Sequence, residues 1–440
     1  MPNLDVYNAH PFGLIYPPPR PPTPLVSRVM GRLLALTLAA LACLGLLLNL
    51  SAALGLLCSI TLSDATLILQ FIAFVPRWIW IVVMAAGLAV YAGSRYALVR
   101  RERAVPRTLA TPGFRQSLHA LIRARRPAGL VMAITVAMTL YVVAIDIRPQ
   151  NLLKQLRPSQ ASGAPFVVLH WNLTMPDCEK WEGNFRDYSG TIDTSLPTGD
   201  APLLYVLTTN QHNPSFERSV AKLRASEPQR NWNVRRQGSF TVLSALPIKS
   251  FAVRTLPNVA AVPGTLADRQ RWEVWYNAAA DKLGVRRRVF PAQSTAAVMQ
   301  VVLDGEEGKR DLVVWLIDLP SDPLISRRTV GRNAAEWLLA LRRIGELSLP
   351  DVVIGDCNMP RSCRSLSMVM TAAGTADHPL ENAFEQAGVG IAASWPIGLP
   401  LLHIDHTFVG PHLRTLRYEL LTMPVADHYA QRVVLQPASP

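Results

Sequence analysis

The sequence predicts a membrane module of three helices followed by one α/β sandwich domain. Three observations predict it. Long charge-free apolar stretches occur only in the first third of the 440 residues. The net charge of +13 is unevenly placed: residues 1–160 hold 16 Lys+Arg and 4 Asp+Glu, whereas residues 161–440 hold 28 and 27. Beyond residue 164, short apolar runs of strand length alternate with helix-period segments.

Residues 1–27 form a Pro-rich tail, with Pro17 to Pro22 as its densest part, and read as an extended cytoplasmic segment. No cleavable signal peptide is expected, because the first apolar stretch starts late and is too long. Residues 28–148 are the membrane module. Leu33–Ser63 carries no charge and is long enough to cross a bilayer with tilt. Trp78–Leu98 is a second span with Trp78 and Trp80 at an interface, and Ala128–Ile145 is a third. The connection at 94–127 carries nine Arg against Glu102, so the positive-inside rule makes it cytoplasmic. Three spans then place the N-terminus inside and everything after Ile147 outside. The expected location is an inner cell membrane, with a periplasmic or extracellular C-terminal domain. Residues 149–164 read as a linker.

Residues 165–440 make the exported domain. Its near-neutral charge argues against a nucleic-acid partner. Val298–Leu303 and Leu312–Leu319 flank Asp304-Gly-Glu-Glu-Gly308, which signals a hairpin. Arg332–Leu347 has Trp337, Leu338, Leu341 and Ile344 at helical spacing. The apolar run Asp351–Gly355 follows and ends in Asp356 and Asn358, which strand alternation puts on one face. A carboxylate and a carboxamide there suit a hard metal ion, an activated water and a phosphate oxygen. The bland alternative is a turn closed by Asx side chains. Asp405-His406 and Asp427-His428 follow near the C-terminus.

Taken in order, Phe166–Asn172, Gly238–Ile248, Gly355-Asp-Cys-Asn358, Ile404-Asp405 and Ala426-Asp427-His428 resemble the motif series of the endonuclease/exonuclease/phosphatase (DNase I-like) family. Ser394-Trp-Pro396 further resembles its bacterial membrane-anchored members. The resemblance implies a four-layer sandwich, two packed mixed β-sheets flanked by helices. It implies that Asp356 activates water, that Asn358 and Asn172 orient phosphate, and that His428, held by Asp405, stabilises the transition state. Asp356, Asn358 and Asp427 would hold Mg²⁺ or Mn²⁺. Two departures stand out. The family's metal-binding Glu is missing, with Thr209 or Asn210 in its place, so weak metal binding is expected. Asp318 stands where many members carry a His; it either supplies the absent carboxylate or merely fills that place.

His406 falls on the strand face opposite Asp405 and reads as structural. His170, His212, His378, His403 and His412 show no metal-ligand spacing. A Cys357–Cys363 bridge would stiffen the loop beside Asp356, but Cys178 leaves the pairing open. The functional expectation is a membrane-anchored, exported, metal-dependent phosphoester hydrolase of unspecified substrate. The alternatives are a catalytically inactive binding or scaffold module and, more weakly, an exported nuclease.

Overall fold

The structure is a computed structural model that describes residues 25–104, 125–155, 164–172, 203–208, 230–255, 297–304, 310–321, 325–422 and 428–438, with isolated positions between 221 and 228 and between 274 and 282. By its contacts the chain divides into two compact units, Met1–Asn49 with Ala86–Leu130, and Leu50–Ala85 with Val131–Pro440. The second unit therefore holds one end of each apolar helix together with the sandwich.

The apolar segments form α1 (Leu25–Thr61), α2 (Leu67–Phe74), α3 (Arg77–Ala104) and α4 (Arg125–Val142), the last running into a π-turn at Val143–Ile147. Val29–Thr61, Arg77–Arg101 and Gly129–Ile147 are long and apolar enough to cross a membrane, close to the three expected spans. Helix is the conformation such segments need, because a bilayer offers no partner to an open backbone group. In the first unit, Gly45 and Gly87 meet face to face, each placed so that a Cβ would lie 2.6 Å from the other's carbonyl oxygen. In the second, Leu56, Met84 and Val142 share an apolar cluster. The short helix α2 was not expected. Thr66 caps it by accepting the Leu69 N–H at 3.3 Å. Helix α5 (Gln150–Gln155) lies within the segment expected as linker; its Asn151 is buried and donates to the Gly388 carbonyl at 2.8 Å.

The sandwich is built from β1 (Phe166–Asn172), β2 (Leu203–Thr208), β3 (Asn233–Gln237), β4 (Phe240–Ser244), β5 (Ile248–Thr255), β6 (Ala297–Leu303), β7 (Leu312–Asp318), α6 (Arg327–Arg343), β8 (Val352–Asp356), α7 (Arg364–Ala373), β9 (Glu381–Asn382), α8 (Ala383–Ala387), β10 (Asp405–Val409), β11 (Leu413–Leu421) and β12 (Ala430–Pro437). One six-stranded sheet runs β11-β12-β1-β2-β4-β3 and the other β5-β6-β7-β8-β10-β9. Both are mixed: β1/β2 and β7/β8 pair parallel and their other neighbours antiparallel. The expected hairpin is β6–β7.

Val168, Val206, Val242, Val314, Leu316 and Ile354 fill the space between the sheets. Alternate residues of the second sheet, such as Trp315 and Val353, turn outward onto Leu338 of α6 and Val369 of α7. The helix layer expected on the outer face of the first sheet falls outside the described residues. Helix α6 starts five residues earlier than its periodicity suggested and stops at Arg343, leaving Ile344 exposed. Gly331 lets α6 approach α7, since a Cβ there would meet the Ser365 Cβ at 2.7 Å.

Candidate functional site

The inter-sheet space turns polar at one end. Asp318 ends β7, Asp356 ends β8 and Asp405 begins β10, and the three lie side by side, Asp318 in register with Asp356 and Asp356 with Asp405. They continue the inward face set by Leu316, Ile354 and Val409. On the facing sheet Asn172 ends β1 in register with Thr208, on the face of Val168 and Val206. Residues distant in sequence thus meet because five strands end at one level.

His428, just before β12, is hydrogen-bonded through Nδ1 to Asp405 Oδ2 at 2.8 Å. Its Nε2 then faces Asp356 Oδ2 at 3.8 Å. The Asn172 amide donates to the same Asp356 oxygen at 3.0 Å. All four side chains are buried. Gly355 sets up Asp356: its φ of +147° and a Cβ position 2.0 Å from the Ile317 carbonyl oxygen exclude any side chain. Ser394 sets up Asp405. Its hydroxyl accepts the Asp405 N–H at 3.1 Å, and its carbonyl accepts the Tyr429 N–H at 2.8 Å, tying the two halves of the Asp405–His428 pair together. Trp395, joined to Pro396 by a cis peptide, lies with its ring centroid 6.5 Å from that of His428.

A second polar layer lies beneath. The Gln431 carbonyl oxygen accepts hydroxyl hydrogens from Thr407 and Tyr418, each at 3.0 Å, and its amide meets His170 Nδ1 at 3.1 Å. Burial pushes His170 down to about 4, so it is neutral at physiological pH.

The electrostatics follow from crowding carboxylates into a largely buried space. Burial raises Asp356 well above the ordinary carboxylate range, and Asp405 beside it adds to the effect. Burial likewise raises Asp318 to about 7, again helped by Asp405. Burial would raise Asp405 too, but His428 outweighs it and holds Asp405 below its usual value. Adjacent buried carboxylates that cannot all ionise are the donor set a hard divalent cation suits. Asp356, Asp405 and His428 each offer a ligand atom within 4.8 Å of the others. Within that group His428 and Asp405 already bind each other, so Asp356 is the carboxylate that would turn to such an ion.

Of the residues singled out from sequence, Asn172, Asp356, Asp405 and His428 are brought together. Asn358 departs from expectation. Strand β8 ends at Asp356, and Asn358 adopts a left-handed φ of 49°. Its N–H caps Asp356 Oδ1 at 2.9 Å and its amide donates to the Leu319 carbonyl at 2.8 Å. The residue closes an Asx turn and ties the β7 and β8 ends together instead of sharing the Asp356 face. Asp427, Thr209, Asn210 and Cys178 lie outside the described residues. Cys357 and Cys363 are free thiols buried in the apolar cluster under α6 and α7. His406 points away from the site and meets the Met359 carbonyl through Nε2 at 2.8 Å. Thr208, Ser394, His170 and Gln431 were not named as site residues. Ser394 opens the Ser394-Trp-Pro396 motif, but nothing in residue type separated the other three from ordinary strand residues.

No protein-family model and no curated protein matches the chain. Solved structures similar to it include an endonuclease/exonuclease/phosphatase family protein from Bacteroides thetaiotaomicron, 12% identical over 62% of this chain and 98% of that one, TM-score 0.41. A mannosyl-6-phosphatase from the same species is 12% identical over 61% and 99%, TM-score 0.39. The catalytic domain of human Nocturnin with bound sulfate is 11% identical over 66% and 100%, TM-score 0.38.

Proposed function

We propose that the chain is a membrane-anchored, metal-dependent phosphoester hydrolase whose sandwich works outside the cytoplasm. The observation that carries this reading is the convergence of Asn172, Asp356 and the Asp405–His428 pair, from four separate strand ends, on one buried polar end of the inter-sheet space. A divalent ion such as Mg²⁺ or Mn²⁺ would polarise a phosphoryl oxygen and lower the charge cost of the carboxylates. Asp356 takes the proton of the attacking water. Asn172 holds the Asp356 carboxylate in place. Asp405 fixes the His428 ring so that Nε2 faces the reacting group and stabilises charge developing on its oxygens. Asp427 would add a further carboxylate.

One observation favours the second reading, a non-catalytic binding module. Thr208, fully buried, occupies the position in register with Asn172, where a carboxylate would face Asp356. The two readings separate in one assay. Purified full chain is given bis(p-nitrophenyl) phosphate and p-nitrophenyl phosphate with Mg²⁺, with Mn²⁺ and with EDTA. The hydrolase reading expects metal-dependent release of nitrophenol that EDTA abolishes. No release and no metal binding would leave the binding module. Export is tested separately by alkaline phosphatase fused at Ser162, expected active, and near Arg107, expected inactive. An inactive Ser162 fusion overturns it.

A further inference from the structure

A second buried ionic cluster lies away from the catalytic end, within the unit that joins the helix ends to the sandwich. The turn after the Gly129–Ile147 span carries Asp146. Its Oδ1 accepts from Arg361 Nη2 at 2.8 Å and from Arg77 Nη1 at 3.2 Å. Arg77 begins α3 and Arg361 lies in the loop after Asn358. Two guanidinium groups, only 13% and 14% exposed, thus share one carboxylate. The surplus positive charge is not the only sign of a missing partner. Arg77 Nε, Arg361 Nη1 and Trp78 Nε1 are all buried donors with no hydrogen-bond acceptor among the described residues. Leaving such donors unpaired costs about 1–3 kcal/mol each, so they seldom persist without a ligand or water.

These three residues line one cavity of about 80 Å³ that opens between the helix ends and the sandwich. Asp146, Ser362 and His403 also line it, and the rest of its wall is apolar, from Phe74, Val75, Val142, Ile391, Leu401 and Leu402. Orphaned cationic donors at one side and hydrocarbon walls at the other match an amphipathic anion. The cavity sits where α3 begins and the third apolar helix ends, which is the level of lipid head groups if those helices cross a bilayer.

We propose that this slot binds one anionic phospholipid, with its phosphate on Arg77, Arg361 and Trp78 and its upper acyl chain along the apolar wall. The lipid completes the charge balance that Asp146 leaves unfinished and fastens the loop following Asp356 to the membrane surface. A zwitterionic lipid fits less well, because its own ammonium competes with the guanidinium groups for the phosphate. The site is separate from the catalytic end and does not depend on the hydrolase reading.

The test is native mass spectrometry of the detergent-solubilised full chain titrated with phosphatidylglycerol or with phosphatidylcholine of matched chains. The expected result is one retained phosphatidylglycerol per chain and at least tenfold weaker retention of phosphatidylcholine. Arg77→Gln and Arg361→Gln should each lower phosphatidylglycerol retention about tenfold, the equivalent of one charged hydrogen bond. Arg77→Lys, which keeps the charge and removes Nε, should lower it a few-fold and guards against a variant that fails to fold. Inorganic phosphate at millimolar concentration should not displace the lipid. Equal retention of the two lipids overturns the proposal, as does wild-type retention by the folded Arg variants. Displacement by inorganic phosphate would make the slot a soluble-anion site and also overturns it.

Discussion

Two buried ionic clusters of opposite sign stand in the same compact unit. At the polar end of the inter-sheet space, Asp318, Asp356 and Asp405 face one imidazole, His428. In the slot by the helix ends, Arg77 and Arg361 face one carboxylate, Asp146. Interiors tolerate charge when it is paired, and breaking a buried pair is far costlier than never having made it. A surplus that survives folding therefore indicates a partner the chain does not itself supply, and the sign tells which kind. The acidic surplus calls for a cation; the basic surplus calls for an anion. The surroundings refine this. The acidic cluster has Asn172 beside it and a layer of neutral hydrogen-bonding groups beneath, as ordered chemistry needs, whereas the basic one is walled by hydrocarbon.

The comparison breaks most sharply at Asp356. Asp356→Ala should lower hydrolysis of bis(p-nitrophenyl) phosphate by about 10³-fold, because the attacking water loses its base. The same variant should melt higher than wild type in EDTA, since one of three crowded carboxylates is gone. Lower activity together with a lower melting temperature would assign Asp356 to the fold instead. Asp146→Asn is the converse experiment on the basic cluster. It leaves two largely buried guanidinium groups without the carboxylate they share, so it should cost about 3 kcal/mol, read as a fall in melting temperature. It should also tighten phosphatidylglycerol retention, because the surplus grows. Unchanged stability would show that the two Arg side chains are neutralised elsewhere.

What could be read from sequence divides along the same line. The three apolar helices were legible because length and the absence of charge are local properties. The two-sheet sandwich and its hairpin followed from motif order and from the turn-forming sequence of Asp304–Gly308. The meeting of Asp356, Asp405 and His428 could be anticipated because each sits in a short string that resembles a known one. Asn358 was misplaced because strand alternation was carried past the point where the strand ends; its left-handed φ is a property of the turn. Thr208 was illegible because a buried threonine in β2 looks like any other strand residue until the register sets it beside Asn172. The basic slot was illegible for a stronger reason. Arg77, Asp146 and Arg361 belong to three segments that only the tertiary fold brings together, and nothing in the spacing of the first two predicts the third.

Asp318 offers a smaller and pH-dependent effect. An ordinary Asp loses its proton near 3.8, and folded Asp318 holds it to about 7. Between those values the folded state binds a proton that the unfolded state has released, so folding loses stability as pH rises, and the loss is complete above about 7. Asp318→Asn has no proton to lose. In EDTA its melting temperature should therefore gain on wild type from pH 5 to pH 8 and then run parallel. The gain corresponds to about 2–3 kcal/mol, allowing for the half-buried setting of the side chain. Saturating Mg²⁺ should shrink or reverse it if Asp318 is one of the ligands. A gap that ignores both pH and Mg²⁺ would remove Asp318 from the acidic cluster altogether.

The finest test asks whether the acidic cluster lacks one ligand. Charge count tunes affinity for hard cations, and the strand position beside Asn172 holds a neutral hydroxyl. Thr208→Glu would place a carboxylate on the face that Asp356 shares, whereas Thr209→Glu and Asn210→Glu place it one or two residues beyond the end of β2. If the register decides, Thr208→Glu should tighten Mg²⁺ binding about tenfold, measured by calorimetry, equivalent to about 1.4 kcal/mol. It should raise metal-dependent hydrolysis in step, and should lower the melting temperature in EDTA, because a further acid joins the crowd. The variants at 209 and 210 should do less. Tighter binding at Asn210→Glu than at Thr208→Glu would mean that the ion sits above the strand ends, nearer the loops. Tight Mg²⁺ binding by wild type would mean that Asp318 or Asp427 already supplies the charge, and the acidic cluster would then be complete where the basic one is not.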